Sequence, residues 1–231
     1  MAAAPLTGIN MTSARHDILA ALSSRRRCAA AEVSAARAKI RLPAPRFAAP
    51  AAGADAAAPA LAERFTAMLI AVHGTCERVD TLAQAPDAAA EYLLGAGQEL
   101  QAVLAPHAEI AGLDWHGFDC RRGAARRADR VSVTRASAGI AETGTLALVS
   151  AAASPVTLNF LPEVNIAVLL EAELVASLED FWAGLAALDA MPRAVNLITG
   201  PSKTADIEQT IVYGAHGPRR LHVLLVRQAP R

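Results

Sequence analysis

Cysteine is scarce in this chain. Its 231 residues hold three, Cys28, Cys76 and Cys120, odd in number and far apart. This excludes a disulfide framework, and no CxxC pair or Cys/His spacing marks a metal site. A reducing cytoplasm is the expected compartment, and any iron–sulfur centre serving the protein has to lie in another chain. The three thiols read as small buried side chains, not as nucleophiles. Aromatic residues make up only 4%, so Trp115 and Trp182 are expected in a core or interface, not on a stacking platform. Net charge is missing too. Lys+Arg and Asp+Glu number 22 each, which leaves no overall field to attract nucleic acid or an anionic membrane. The local basic run Arg121-Arg122 with Arg126-Arg127 lies beside Asp119 and Asp129 and reads as a solvated surface. No apolar run reaches the roughly 18–20 residues needed to cross a bilayer. A GxGxxG strand–helix fingerprint for a dinucleotide is also lacking.

What is abundant is alanine, which inflates a hydrophobic fraction of 53%. Arg15 to Ile40 carries an irregular apolar stripe and reads as an exposed helix. "RLPAPRFAAPAAGADAAAPA" follows, and its spaced prolines predict a loosely ordered linker. Residues 1–60 are therefore expected to form a helix and linker, and residues 61–231 a single domain with a substantial core. "LAERFTAMLIAV" suits an amphipathic helix, His73-Gly74 a turn and "CERVDTL" a strand. "PDAAAEYLLGAG" opens with Pro and closes with Gly, as a short helix does. Gln98 to Asp129 gives no assignable pattern, and His107 and His116 beside it read as surface histidines. Beyond it, "TLALVS", "NIAVLL", "AVNLIT" and "LHVLLVR" read as strands, with helical patterns at Leu178–Leu188 and Ala205–Tyr213. Alternation of this kind predicts an α/β fold with a mostly parallel sheet covered by helices.

Polar chemistry collects in two places. In "GPSKTADIEQTIVYGAHGP" a strand stops at Gly200-Pro201, and Ser202 or Thr204 is placed to cap a helix ended by Gly214. Asp206 and Glu208 then fall in its first turn, where they oppose a docked phosphate and favour hydroxyl hydrogen bonds or a cation. Lys203 offers a charge to either carboxylate or to an anionic ligand. Gly214, Gly217 and Pro218 predict a tight turn that presents His216. In "GIAETGTLALVS", Glu142 sits at the edge of an apolar strand, flanked by Thr143, Gly144 and Thr145. A carboxylate there is costly unless paired. It is either a turn residue bonded to backbone amides or an acid/base group. Loops at the carboxyl ends of neighbouring strands converge in open α/β sheets. The two motifs are thus expected around one cleft, with glycines permitting close approach of a ligand.

Together, "AETGTLALVS", "LNFLPEVNIAVLLEAELV" and "GPSKTADIEQTIVYGAHGP" resemble the LUD domain of the lactate-utilisation protein C family, over most of Leu61 to Arg231. The resemblance implies a fold similar to the glucosamine-phosphate isomerase, ribose-phosphate isomerase and CoA-transferase group. It also implies a cytoplasmic part in oxidising L-lactate to pyruvate, beside two partner proteins that carry the iron–sulfur clusters. No cofactor is then expected in this chain, and the substrate is lactate or another small hydroxy acid. On that reading Glu142 does acid/base or electrostatic work, while Asp206 or His216 orients the substrate hydroxyl. Thr143, Gly144, Thr145, Gly200, Ser202, Lys203, Thr204, Glu208 and Gly217 are the accompanying binding candidates. Val156 departs from an arginine common in the family, and Asn165 stands where histidine or another polar or aromatic residue is usual. Two alternatives stay open: an independent transferase or isomerase of the same fold group, and a non-catalytic assembly or regulatory module.

Overall fold

The computed structural model describes residues 17, 20–21, 54–187, 192–205 and 211–228. Most of the helix expected over Arg15–Ile40, together with Asp206, Glu208 and Cys28, lies outside them. Residues 1–44 and 45–231 form separate compact units, and the fold described here is that of the second.

Helix α1 spans Ala54–Ala71, with Pro59 inside it. It thus begins within the stretch expected to be a linker. Pro59 removes one backbone bond near the helix start, and the alanines around it are the strongest helix formers, so the helix passes through. Ala62, Phe65 and Leu69, at spacings of three and four, are fully buried along one face. The turn at His73-Gly74 falls where expected, with His73 at φ +69°.

There follow β1 (Thr75–Thr81), α2 (Ala85–Gly95), β2 (Gln101–Leu104), α3 (Ala108–Ala111), β3 (Asp119–Arg122) and β4 (Val131–Arg135). The second half holds β5 (Ala138–Ile140), β6 (Thr145–Val149), α4 (Thr157–Phe160), β7 (Val164–Leu170) and β8 (Leu174–Val175). It continues with α5 (Leu178–Ala186), β9 (Val195–Thr199), β10 (Lys203–Ala205), β11 (Ile211–Tyr213) and β12 (Arg220–Gln228). Residues 98–129 resisted assignment because β2, α3 and β3 have four residues each, too few to display a period.

Six strands in the order β1-β12-β7-β4-β2-β3 form a wholly parallel sheet. Its central strands are apolar on both faces, as burial under two layers demands. Ile166 and Val168 of β7 join Leu224 and Val226 of β12 in a core that α2 covers with Ala85, Ala89 and Leu93. Ala167 and Leu169 join Val223 and Leu225 on the other face, against Phe65 and Leu69 of α1. Two of the expected strands lie elsewhere. β6 and β9 belong to a four-stranded sheet, β8-β5-β6-β9, in which β6 is antiparallel to both neighbours. Helix α5 packs Phe181 and Leu185 on it, so one face of the parallel sheet is shared between α1 and a second sheet. No helix among the described residues is long and apolar enough to cross a membrane.

At the carboxyl end of the parallel sheet, Arg135 closes β4 and is only 6% exposed. Its Nε donates to Glu109 Oε2 at 2.6 Å, and Nη1 and Nη2 donate to both oxygens of Glu173 at 2.6 and 2.7 Å. Burial works against the guanidinium charge, but the hydrogen bonds to Glu173 and then Glu109 more than offset it and raise the Arg135 pKa. Buried Trp115 donates Nε1–H to the Ile110 carbonyl at 2.8 Å. Arg121 pairs with Asp129, in line with a solvated basic run. Burial raises the Cys76 thiol pKa, which suits a packing residue.

His222 of β12 is 4% exposed, and burial pushes its pKa down to about 4. The folded state therefore binds this proton more weakly than the unfolded chain, where histidine titrates near 6.5. Stability is full above about pH 6.5 and falls as the pH drops toward 4. This group alone is expected to cost about 2 kcal/mol by pH 5. Melts at pH 7 and pH 5 check it, because replacing His222 with Gln should shrink the difference.

Candidate functional site

The described residues of the segment from Gly200 to Pro218 form strands where a helix was expected. β10 and β11 form an antiparallel hairpin with Lys203 opposite Tyr213, Thr204 opposite Val212 and Ala205 opposite Ile211. Thr204, Ile211, Val212 and Tyr213 are β-branched or aromatic, which favours extended chain. Ser202 is held on both sides of its backbone: its N–H donates to the Pro218 carbonyl at 2.8 Å, and its carbonyl accepts from Gly214 N–H at 3.0 Å. These bonds replace the helix cap expected of Ser202 or Thr204. Gly214 has φ +84°, and the space a side chain would fill there is taken by the Arg219 stem. The expected turn is present, with His216 exposed on it.

This hairpin base borders a cavity of about 260 Å³ lined by Gly200, Ser202, Lys203, His216 and Gly217, among others. Lys203 Nζ sits 6.0 Å from the centre of the Tyr213 ring. The cavity also reaches Asn165 and Leu221, each the second residue of its parallel strand. It therefore opens at the amino ends of β7 and β12. The carboxyl-end expectation failed because Gly200 follows β9, a strand of the other sheet.

Beneath the cavity lies a polar cluster that sequence reasoning missed. Asn165 donates Nδ2–H to Ser132 Oγ at 2.9 Å and to Thr134 Oγ1 and the Leu158 carbonyl at 3.3 Å. Asn159, 1% exposed, lines the same cavity. Polar residues inside apolar runs, as in "VSVTR" and "TLNF", were the available signal. Most buried hydroxyls and amides are hydrogen-bonded, as Asn165 is, whereas Asn159 Oδ1 has no hydrogen-bond partner among the described residues.

The other motif occupies the β5–β6 turn. Thr145 is paired with Thr199 across β6 and β9, which brings that turn to the Gly200 end of the small sheet. Hydroxyls run from Thr143 to Thr145 at 2.6 Å and on to Thr199 at 2.7 Å, and Thr199 lines the cavity. Glu142 is half-buried, with its N–H donating to the Ala176 carbonyl at 3.1 Å. Its carboxylate accepts no hydrogen bond among the described residues, and it is not part of the cavity lining. The structure thus gathers Gly200, Ser202, Lys203, His216 and Gly217. It joins Thr143 and Thr145 to them through Thr199 and leaves Glu142 at one remove.

The glycines serve the fold more directly than a ligand. Gly144 has φ +65°, and a Cβ there would lie 2.3 Å from the Leu69 backbone nitrogen. At Gly200, φ +74°, it would lie 2.4 Å from the Val72 carbonyl oxygen. One motif is seated on the end of α1 and the other on the turn that follows it.

The LUD domain family profile matches residues 62–226. The chain belongs to the LUD domain family. An uncharacterized protein of Neisseria meningitidis serogroup B is 42% identical over 39% of this LUD protein and 40% of its own length. Lactate utilization protein C of Exiguobacterium is 36% identical over 47% of this chain and 48% of its own. The chain thus spans about half the length, or less, of these curated relatives. A solved structure of a DUF162 family protein from Deinococcus radiodurans has a TM-score of 0.54 and 23% identity, covering 73% of this chain and 98% of that one. It bears out the α/β architecture.

Gly144→Ala is expected to destabilise the LUD domain by about 2 kcal/mol or more, through the left-handed φ and the collision with α1. Gly184→Ala, on exposed α5 with nothing within 4 Å of the new methyl group, should be neutral or stabilising by up to about 1 kcal/mol. Denaturant melts of the two variants check the contrast.

Proposed function

We propose that this LUD protein serves lactate utilisation by binding a small hydroxy acid in the Gly200–Pro218 cleft, within an assembly whose iron–sulfur clusters belong to partner proteins. The observation that carries the reading is the cavity itself. At about 260 Å³ it has room for a small organic acid, and it sets a lysine beside hydroxyl and imidazole groups. Lys203 supplies the charge for a carboxylate, as a compact cation with three donors. Ser202 and His216 hydrogen-bond the substrate hydroxyl, and His216 is the group suited to accept its proton. Lactate utilization protein C is the name carried by relatives in Exiguobacterium and Geobacillus, which supports the choice of acid.

Oxidation of lactate to pyruvate removes two electrons and two protons. In this reading the chain binds and orients the acid, and the electrons leave to the clusters of the partners, in the cytoplasm. Asp206 and Glu208 remain candidates, by residue type alone, for hydrogen-bonding the substrate hydroxyl. Glu142 acts behind the Thr143–Thr145–Thr199 hydroxyl row, as an electrostatic group or proton acceptor.

Calorimetric titration of the full chain with L-lactate tests the binding step. Lys203→Ala is expected to weaken binding by roughly tenfold or more, as the loss of a charge-assisted contact does, with an unchanged melt. Glu142→Gln should impair growth on lactate in a complementation assay while the protein stays folded. Absence of lactate binding by the wild-type chain would sink the reading. Robust lactate-dependent dye reduction by the isolated chain would remove the need for partners.

A further inference from the structure

A second and larger cavity, about 590 Å³, lies at the β1 edge of the parallel sheet. Small-molecule sites commonly have volumes of about 300–1,000 Å³. Thr75 and Glu77, two apart on β1, point to one face, and α2 covers that face with Glu91 and Tyr92. Arg219 and Arg220 close the cavity at the start of β12. Their backbone N–H groups are both fixed on the Glu163 carbonyl, at 2.8 and 3.1 Å.

The charges in this cavity do not answer one another. Among the described residues neither Arg219 nor Arg220 has a carboxylate in ion-pair range, and Glu91 has no cation. Glu77 has only the His222 Nε2, 3.8 Å away. That imidazole is neutral at pH 7, so it does not balance the carboxylate. Its Nδ1 is engaged with Thr75 Oγ1 at 2.8 Å, its Nε2 has no hydrogen-bond partner, and its ring is stacked on Tyr92 at 3.8 Å. Glu77 holds its proton more tightly than an ordinary glutamate because of burial and the nearby Glu91 charge. Glu77 and Glu91 thus line the cavity without a balancing cation, and Arg219 and Arg220 line it without an anion among the described residues.

We propose that this cavity is a binding site for a free α-amino acid in its zwitterionic form. The ammonium sits between Glu77 and Glu91, and the carboxylate takes the planar donor fork of Arg220, which matches its two oxygens. The amino acid side chain lies along Tyr92 and has room to be large. A ligand with one charge satisfies one end of the cavity and leaves the other uncompensated, so binding selects for both charges together. The site adjoins the lactate cleft at Leu221 but does not rest on the reading of that cleft.

Saturation-transfer NMR of the full chain against the twenty amino acids, each at about 10 mM, tests the proposal. At least one amino acid should give a saturable signal. Its decarboxylated amine and its deaminated acid, at the same concentration, should give none. Glu91→Gln and Arg220→Gln alter exposed side chains and should each weaken binding by roughly tenfold or more, with melts unchanged. Silence from all twenty amino acids overturns the proposal. So does equal binding of the single-charge analogues, or affinity unchanged in both variants.

Discussion

A helix backbone can be approached to contact distance only by a chain that carries no side chain at the point of contact. The signature turns of this LUD domain meet the end of α1 and the turn after it in that way. Gly144 lies over Leu69 of the helix, and Gly200 lies over Val72, in the turn just beyond its last residue. The contact fixes the two ends of one functional region relative to each other. It brings Thr145 opposite Thr199 and places the hydroxyl row beside the cavity. A shift of that helix moves both turns at once.

The two ends of the parallel sheet divide their labour by charge. At the carboxyl end Arg135 is tied to Glu109 and Glu173 from the segments after β2 and β7. This is the crevice where β2 and β4 send the chain in opposite directions, a usual ligand position in open sheets. Here the protein's own carboxylates fill the role of an anionic ligand and lock three segments together. At the amino end the cations Lys203, Arg219 and Arg220 stay on cavity walls, where an incoming carboxylate can reach them.

The long apolar strands and the helices α1, α2 and α5 were legible in sequence because each repeats its period several times. β7 and β12 could be read almost to the residue. The hairpin of β10 and β11 could not. Ser202, Thr204 and the acidic pair imitate a helix start, and the bonds from Ser202 to Pro218 and Gly214 that decide the matter are long-range. Local propensity carries no trace of them. The candidate site was legible in its residue types and less so in its geometry. His216, Lys203 and Ser202 share a wall as expected, whereas Asn159 and the Asn165 cluster come from strands and turns that read as ordinary core. The glycines were read as room for a ligand, but what approaches Gly144 is α1, and what approaches Gly200 is the turn after it.

β12 lies between β1 and β7 in the sheet, although it follows both in the chain. While the polypeptide is being synthesised, β1 and β7 therefore wait with open hydrogen-bonding edges for a strand not yet made. Their partner completes the centre of the core, not its margin. Pairing Thr75 with His222 closes a loop that encloses nearly the whole domain, and such distant contacts form slowly. Until residues 220–228 emerge, the apolar faces of β7 stay partly uncovered, and the nascent chain is a natural client for a chaperone.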